Sequence, residues 1–359
     1  MKEITIKNHN FSILCEKPDD KCNGVEITLK NNPYAYINDV PSQFYAVKQD
    51  NTVVGSIYIY PIIVTADKKE YIANCASTLY VSKEERGKGI GKELAICRMN
   101  ASPDRISIGA GLSNMSYPLY KKLGCTFFYS KRMGLIVKSG KILKGYIGWL
   151  SVILGPIMNF FMSLLAFSLH FKNLKLRNKY VVSKLNEATA EIEEIVKEDK
   201  SRFQEKHTKE WFNWLLNYNF LTHESDKNYL YTIRNKQGFI EAFFMFKKRI
   251  KDDITSKHIN NVCVISLIEW GIKRNSSLTE KDIVACFSME ARKLEADIVE
   301  VSFLANDFMK SLKRSGFINM MDARIVLYAG DSSPLRNHSG WNEEKNWRLR
   351  PAYSDYGFC

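Results

Sequence analysis

Residues 86–91 read Arg86-Gly87-Lys88-Gly89-Ile90-Gly91, with Lys92 next. Glycines let a backbone approach an anion closely and adopt conformations that side chains bar. A helix opening at this point presents unpaired N–H groups and the positive end of its dipole. Lys88 and Lys92 add charge. Together these features suit a pyrophosphate group. A Walker loop would close on Gly-Lys-Ser/Thr, and none follows. A dinucleotide fingerprint would place its glycines on the first strand of a βαβ unit. Here they come after several strand-like segments.

Those segments must position the glycines. Phe44–Lys48 and Val53–Tyr60 alternate as strands around Gln49-Asp50-Asn51-Thr52, a hairpin signal. Tyr71–Val81 is a further strand, and Ser82–Glu85 is a loop. From Gly89 to Asn100 the spacing is helical, with Ile90, Leu94, Ile96 and Cys97 on one side. Arg105–Ala110 is a strand, and Tyr117–Leu123 is a short helix stopped by Gly124. Cys125–Tyr129 and Met133–Val137 form a last strand, bent at Lys131-Arg132.

Asn114 follows the strand 105–110, and Tyr120-Lys121-Lys122-Leu123-Gly124-Cys125 follows Asn114. With Arg-x-x-Gly-x-Gly upstream, residues 40–137 resemble the GNAT acyltransferase superfamily; Cys125 stands where Phe is usual. The resemblance implies that Arg86, Gly87, Lys88, Gly89, Ile90, Gly91 and Lys92 hold the CoA pyrophosphate, and that Asn114 binds the pantetheine or adenylate arm. It places pantetheine at Leu79 and Val81, where the strand ending at Val81 and the strand 105–110 splay apart, helped by a bulge. A backbone N–H near Val81 would polarise the thioester carbonyl. An amine would attack directly, with no covalent enzyme intermediate. Tyr120 has two readings: an aromatic packed on the sheet, or the general acid to the CoA thiolate. The expected base is Asp355 or Glu269 reaching over from the second half, because Tyr71–Val81 carries no carboxylate. His207, His223, His258 and His338 are isolated along the chain and read as ordinary surface or core residues.

The order of elements then recurs. Tyr229–Ile233 and Gly238–Phe246 flank Arg234–Gln237; Val262–Trp270 is a strand, Thr279–Ala296 a helix, Asp297–Leu304 a strand, Asn306–Ser315 a helix and Ala323–Ala329 a strand. At the place of the glycines stands Gly271-Ile272-Lys273-Arg274-Asn275-Ser276-Ser277, so the second copy should not bind CoA. The helix 186–200 carries a solvated acidic face rather than a carboxylate site. The expectation is an α/β (α+β) protein of two tandem GNAT domains, each a mixed, mostly antiparallel twisted sheet flanked by helices. Residues 1–140 carry the acyl-CoA site, 141–185 are an apolar helical connector with a basic flank, and 186–359 form the second domain without the pyrophosphate motif.

The chain has 359 residues, 45% hydrophobic, 25% charged, with a net charge of +13. Such a charge suits an anionic metabolite, a nucleic acid or a membrane surface, or reflects a basic background with one anionic ligand. Eight cysteines lie scattered with no C-x2-C or C-x4-C spacing, so no metal site is expected. No signal peptide opens the sequence, and a reducing cytoplasm is expected. From Gly145 to Phe171 there is no Asp, Glu, Lys or Arg, and Lys172, Lys175, Arg177, Lys179 and Lys184 follow. Gly155-Pro156 interrupts this run. Helices buried between two domains, or lying against a membrane surface as a peripheral contact, are the two readings.

The second half opens on Lys206-His207-Thr208-Lys209-Glu210-Trp211-Phe212-Asn213-Trp214, and the chain closes on Trp347-Arg348-Leu349-Arg350-Pro351-Ala352-Tyr353-Ser354-Asp355 and beyond. Both segments resemble parts of tandem-GNAT sugar N-acyltransferases. That resemblance implies an acyl-CoA donor (acetyl-CoA or 3-hydroxybutyryl-CoA) and no metal. It implies transfer to the amino group of a nucleotide-linked deoxysugar, often dTDP-linked, in surface-polysaccharide biosynthesis. Trp347, Arg348, Arg350 and Tyr353 would bind the acceptor, charge meeting phosphate and rings stacking on the base; the alternative is a last strand with a charged edge. Nucleic acid is not expected as a partner, and the oligomeric state is open. The competing readings are a FemX-like aminoacyltransferase using aminoacyl-tRNA, a membrane-associated acyltransferase on a protein or lipid-linked substrate, and a non-catalytic binding module.

Overall fold

The structure is a computed structural model; it describes residues 4–5, 11–16, 33–34, 40–41, 43–110, 112–217, 226–252, 259–302 and 306–353. The first half contains β1 (Ile4–Thr5), β2 (Phe11–Glu16), β3 (Gln43–Lys48), β4 (Val53–Ala66), β5 (Lys69–Val81), α1 (Ile90–Met99), β6 (Ile106–Ala110), α2 (Tyr117–Lys122) and β7 (Thr126–Ile136). Three helices follow: α3 (Gly140–Ile147), α4 (Ser151–Leu165) and α5 (Phe167–Arg177). The second half contains β8 (Tyr180–Leu185), α6 (Ala190–Lys197), β9 (Phe203–Glu205), α7 (Lys209–Leu216), β10 (Lys227–Asn235), β11 (Ile240–Lys251) and β12 (Val262–Ile272). It ends with α8 (Glu280–Lys293), β13 (Ile298–Val301), α9 (Asn306–Arg314), β14 (Ile318–Ala329) and β15 (Trp347–Arg348).

The strands join in one sheet, ordered β1-β2-β3-β4-β5-β6-β14-β7-β13-β12-β11-β10-β8, with β9 bridging β4 and β15. The mixed α/β architecture is thus the expected one, but its centre is not. β14, from the end of the chain, lies between β6 and β7, antiparallel to both. β7, from the first half, pairs in turn with β13 of the second. Each half therefore completes its sheet with a strand of the other, and neither can be lifted away without breaking a ladder. Parallel pairing joins β5 to β6 and β12 to β13, one at the same place in each half.

Alternation explains the main hairpin. Val54, Ile57, Ile59, Ile62 and Val64 of β4 are buried against α1 or against the second half. Pro61 stands past Tyr58, the last β4 residue paired with β3, where a missing N–H breaks no ladder on that side. One apolar cluster joins Ile62, Val64, Ala73, Ile106 and Phe128 of the first half to Ile192, Phe212, Phe243 and Ile268 of the second. Ion pairs reinforce this seam: Asp67 at the β4–β5 turn meets Arg202 at 2.7 Å and His338 at 2.8 Å, and His338 also meets the Tyr71 hydroxyl at 2.9 Å.

The connector corrects one expectation. The apolar helices are not buried between the halves: α4 buries only Ser151 and Gly155. Val152, Ile153, Leu154, Ile157, Met158, Phe160, Phe161, Leu164 and Leu165 all face outward. α5 does pack on α8, through buried Leu169, Asn173 and Leu176 and through the ion pairs Lys172–Asp282 and Arg177–Glu290.

Candidate functional site

β5 pairs with β6 only at Ala73–Ile106, Asn74–Ser107 and Cys75–Ile108. Beyond Cys75 it runs on to Val81 against β4 alone. In that ladder Ser56 faces Tyr80 while Tyr58 faces Ser77, so β5 carries one extra residue at Thr78–Leu79. This is the expected bulge, and it turns β5 away from β6. A buried latch holds the fork below it. Asn74 donates to Arg98 O at 3.1 Å and accepts from Ser107 Oγ at 2.6 Å, tying β5, β6 and α1 together.

The glycine loop sits at the far end of β5. Gly87 and Gly89 have φ of +84° and +86°, and a Cβ on either would meet nothing within 4 Å. Glycine is thus required there by backbone conformation, not by space. The N–H groups of Gly87, Lys88, Gly89, Ile90 and Gly91 have no backbone acceptor among the described residues, whereas Lys92 and Glu93 already donate to Gly89 O. Five donors are left pointing from one loop and one helix start. The side chains brace this frame. Arg86 Nε donates to Val81 O at 3.1 Å, and buried Glu85 takes Lys48 at 2.6 Å and Lys88 at 2.7 Å. Hydrogen bonds from those two lysines hold the Glu85 carboxyl below the usual carboxylate range. Lys88 therefore spends its charge on the loop, whereas exposed Arg86 and Lys92 have no ion pair among the described residues. Ile90 is buried under Gly55, and Leu79 and Val81 are half-buried on the same cluster.

Downstream, Tyr120 is 3% exposed, packed on Ala95, Met99 and Val326. Arg98, also 3% exposed, donates to the Tyr120 hydroxyl at 2.9 Å and to Ile108 O at 2.6 Å. Ile108 is the last β6 residue paired with β5, so Arg98 fixes the phenol at the mouth of the fork. The hydroxyl accepts from Arg98 and keeps its own proton to give. A Cβ at Gly109 would lie 2.8 Å from Arg98 Nη2, so glycine makes room for the guanidinium. Sequence reading missed Arg98 because it expected Ile96 and Cys97 on the inner face of α1; the buried face is Ile90, Leu94, Ala95, Arg98 and Met99. A charge three and four residues from apolar neighbours was the available signal. Asn114 is exposed and accepts from Arg324 Nη1 at 2.8 Å, and Arg324 lies over the Tyr117 ring at 4.9 Å. Arg324 belongs to β14, so the exchanged strand reaches the residue that the sequence named for the pantetheine or adenylate arm. Burial pushes the Cys97 and Cys125 thiols up to about 11, which leaves neither a ready nucleophile at neutral pH.

The acceptor residues named from sequence lie elsewhere. Trp347 is buried on Phe203, at 5.1 Å between rings, and donates to Trp341 O. Arg348 is 1% exposed; it donates to Trp270 O at 2.8 Å and pairs with Glu269, with Asp199 beside it. Arg350 is half-buried with its guanidinium 3.8 Å from the Trp270 ring centre. Tyr353 closes a terminal turn, and Asp355 lies outside the described residues. Glu269 is buried between Arg348 and His207, whose Nδ1 is 2.9 Å away. Burial opposes its ionised form, but Arg348 and His207 outweigh that and lower its pKa. Burial likewise opposes a charged His207, and Glu205 with Glu269 outweighs it and raises the pKa.

The second fork is closed where the first is open. β12 leaves β13 after Ser266, and Arg348 donates to Trp270 O on the parted stretch. The start of α8 is capped by its own residues: Thr279 Oγ1 and Asp282 form a capping box. A carboxylate of the chain thus occupies, at α8, the N-terminal position that no side chain caps at α1.

Residues 14–124 match the acetyltransferase (GNAT) family. The match covers the fork, the glycine loop and Tyr120. Among solved structures, the fold is similar to Saccharomyces cerevisiae N-myristoyltransferase with bound myristoyl-CoA. The TM-score is 0.54 at 11% identity, over 91% of this chain and 84% of that one. A second structure of the same enzyme, with myristoyl-CoA and inhibitors, gives 0.55 at 14% identity over 90% and 74%. A GCN5-related N-acetyltransferase from Anabaena variabilis gives 0.50 at 12% identity, over 86% of this chain and 66% of that one. No curated protein matches in sequence. The family match and the shared fold together support an acyltransferase, with both halves of the chain inside the structural likeness.

Proposed function

We propose that the chain is an acyl-CoA-dependent N-acyltransferase that binds its donor in the first half. One observation carries the reading: the glycine loop with its unpaired N–H groups stands at the end of the same strand that parts from β6. Pyrophosphate at the loop and pantetheine in the fork then lie along one line. The loop binds, and the fork orients the thioester against β5, where a backbone N–H near the Leu79–Val81 bulge stabilises the oxyanion. A neutral amine attacks the carbonyl carbon, the C–S bond breaks, the nitrogen gives its proton to water, and the thiolate takes a proton from Tyr120, which Arg98 aims at the fork and which recovers its proton from solvent.

The acceptor we propose is the amino group of a nucleotide-linked amino deoxysugar, as the segments 206–214 and 347–355 suggest by resemblance. Arg350 on Trp270 supports it; Arg348 serves the core instead. A second reading, an amine presented at a membrane, is favoured by the outward apolar face of α4. Acyl-CoAs of increasing length, incubated with the protein and with dTDP- and UDP-amino sugars or amine-bearing lipids, separate these by mass shift and thiol release. Absence of CoA binding would overturn the donor reading; transfer only to the lipids would overturn the sugar.

A further inference from the structure

We infer that the α3–α4 hairpin and the outer face of α5 dock the protein on an anionic phospholipid bilayer, inserting from one side without crossing it. α4 is built inside-out for a helix in water. It turns inward the small or polar residues Ser151, Gly155 and Asn159, spaced four apart, and of its large apolar side chains only Met162 is partly buried. The large apolar side chains point outward, with Val152 76%, Phe160 62% and Leu164 55% exposed. Trp149, 74% exposed, stands just before the helix, and Phe167 and Phe171 of α5 continue the same surface. A surface of this size on a water-soluble protein marks a contact.

Gly140–Leu165 is long and apolar enough to cross a membrane by length and composition. The geometry forbids it. Gly148, at φ +56°, breaks the stretch between α3 and α4. The chain then doubles back: Gly140 Cα lies 3.5 Å from where a Cβ on Gly155 would stand, and Ser139 N donates to Asn159 Oδ1 at 2.7 Å. α4 has 15 residues, about 22 Å of helix against a hydrocarbon core of about 30 Å. A hairpin of that length reaches about 5–10 Å into one leaflet.

Charge selects the occupant. Every charged residue from Arg105 to Lys184 is Lys or Arg. Some of these cations anchor the connector to the second half: Lys138–Glu295, Lys141–Asp297, Lys172–Asp282 and Arg177–Glu290. Lys144, Lys175 and Lys179 are exposed and have no ion pair among the described residues. They rim the apolar face as headgroup-level cations do, and lipid phosphate is the partner that complements them. A second copy of this chain would bring like charges together.

The test is flotation of the full-length protein with vesicles of phosphatidylcholine, alone or mixed with phosphatidylglycerol. The protein should float with the mixed vesicles and less with the neutral ones. Phe160→Glu with Leu164→Glu should cut partitioning at least about tenfold, while CoA affinity and thermal midpoint stay unchanged, because both side chains already face water. Trp149 emission should shift to the blue and be quenched by lipids brominated near the headgroup, with Trp149→Phe as the control. Partitioning that ignores the double substitution, quenching strongest at the bilayer midplane, or a lipid-free dimer that buries this face and persists beside vesicles would each overturn the inference. CoA binding is read separately, so failure here leaves the donor reading standing.

Discussion

Replacing Gly89 by alanine tests the glycine loop with little else disturbed. The residue has φ +86°, and nothing lies within 4 Å of the position a Cβ would take. Alanine therefore meets no clash, and the cost is conformational: about 1–2 kcal/mol to hold an L-residue in the left-handed region. The loop is exposed, so the free variant relaxes out of that region and the thermal midpoint hardly moves. Binding a pyrophosphate requires the donors of Gly87 to Gly91 to converge again, and the cost then falls on binding. At about 1.4 kcal/mol per factor of ten, CoA should bind about 5- to 30-fold more weakly. Calorimetry with CoA and with an acyl-pantetheine, which lacks the pyrophosphate, separates the causes. The pantetheine thioester should bind Gly89→Ala as it binds the parent protein. Unchanged CoA affinity, or an equal loss for both ligands, would refute the assignment of this loop to the pyrophosphate.

Arg98→Met removes a charged donor from a buried phenol and should cost about 1.5–3 kcal/mol of stability; kcat should fall as far as in Tyr120→Phe, with CoA affinity retained in both, as read by melting, steady-state kinetics and calorimetry. Gly109→Ala pushes a Cβ to 2.8 Å from Arg98 Nη2, so it should lower kcat and stability together, the latter by about 1–3 kcal/mol. The two C-terminal arginines should part company. Arg348→Ala strands the buried Glu269 carboxylate and should cost about 3–5 kcal/mol in denaturant unfolding, whereas Arg350→Ala should raise KM for the acceptor and leave CoA binding alone. The Glu205–His207–Glu269 cluster sets a pH window: the raised His207 pKa gives stability that is complete below the ordinary imidazole value and fades as pH climbs through the raised one. The lowered Glu269 pKa gives stability that is complete above the ordinary carboxylate value and is lost on acidification through the lowered one. A His207→Gln melting series should lose the alkaline limb; an unaltered profile would show that another group titrates there.

Much of the fold was legible where the cause is local. The turn at Gln49–Thr52, the helix after Gly89 and the stop at Gly124 follow from alternation, helical spacing and positive-φ glycine, and each falls within a residue or two of its expected place. Strand lengths were underestimated: β4 runs to Ala66, because its far end is covered by β9 from the second half, a neighbour that local pattern does not reveal. His207 and His338 look isolated along the chain, yet one sits between two carboxylates and the other joins Asp67 to Tyr71.

By itself, the sequence determined the glycine loop and its helix start, since glycine conformation and unpaired helix-start N–H groups are properties of consecutive residues. It also determined that the second copy lacks that loop. Only the tertiary structure decided what completes the site. The β7–β14 exchange brings Arg324 to Asn114, Arg98 reaches from α1 to Tyr120, and Arg348 closes the second fork. The same holds for the connector. Composition shows that residues 145–171 are apolar, but which way they face depends on the α3–α4 contact at Gly140 and Gly155. Pairings between residues far apart are fixed by packing and by the satisfaction of buried polar groups, and these quantities exist only once the chain has folded.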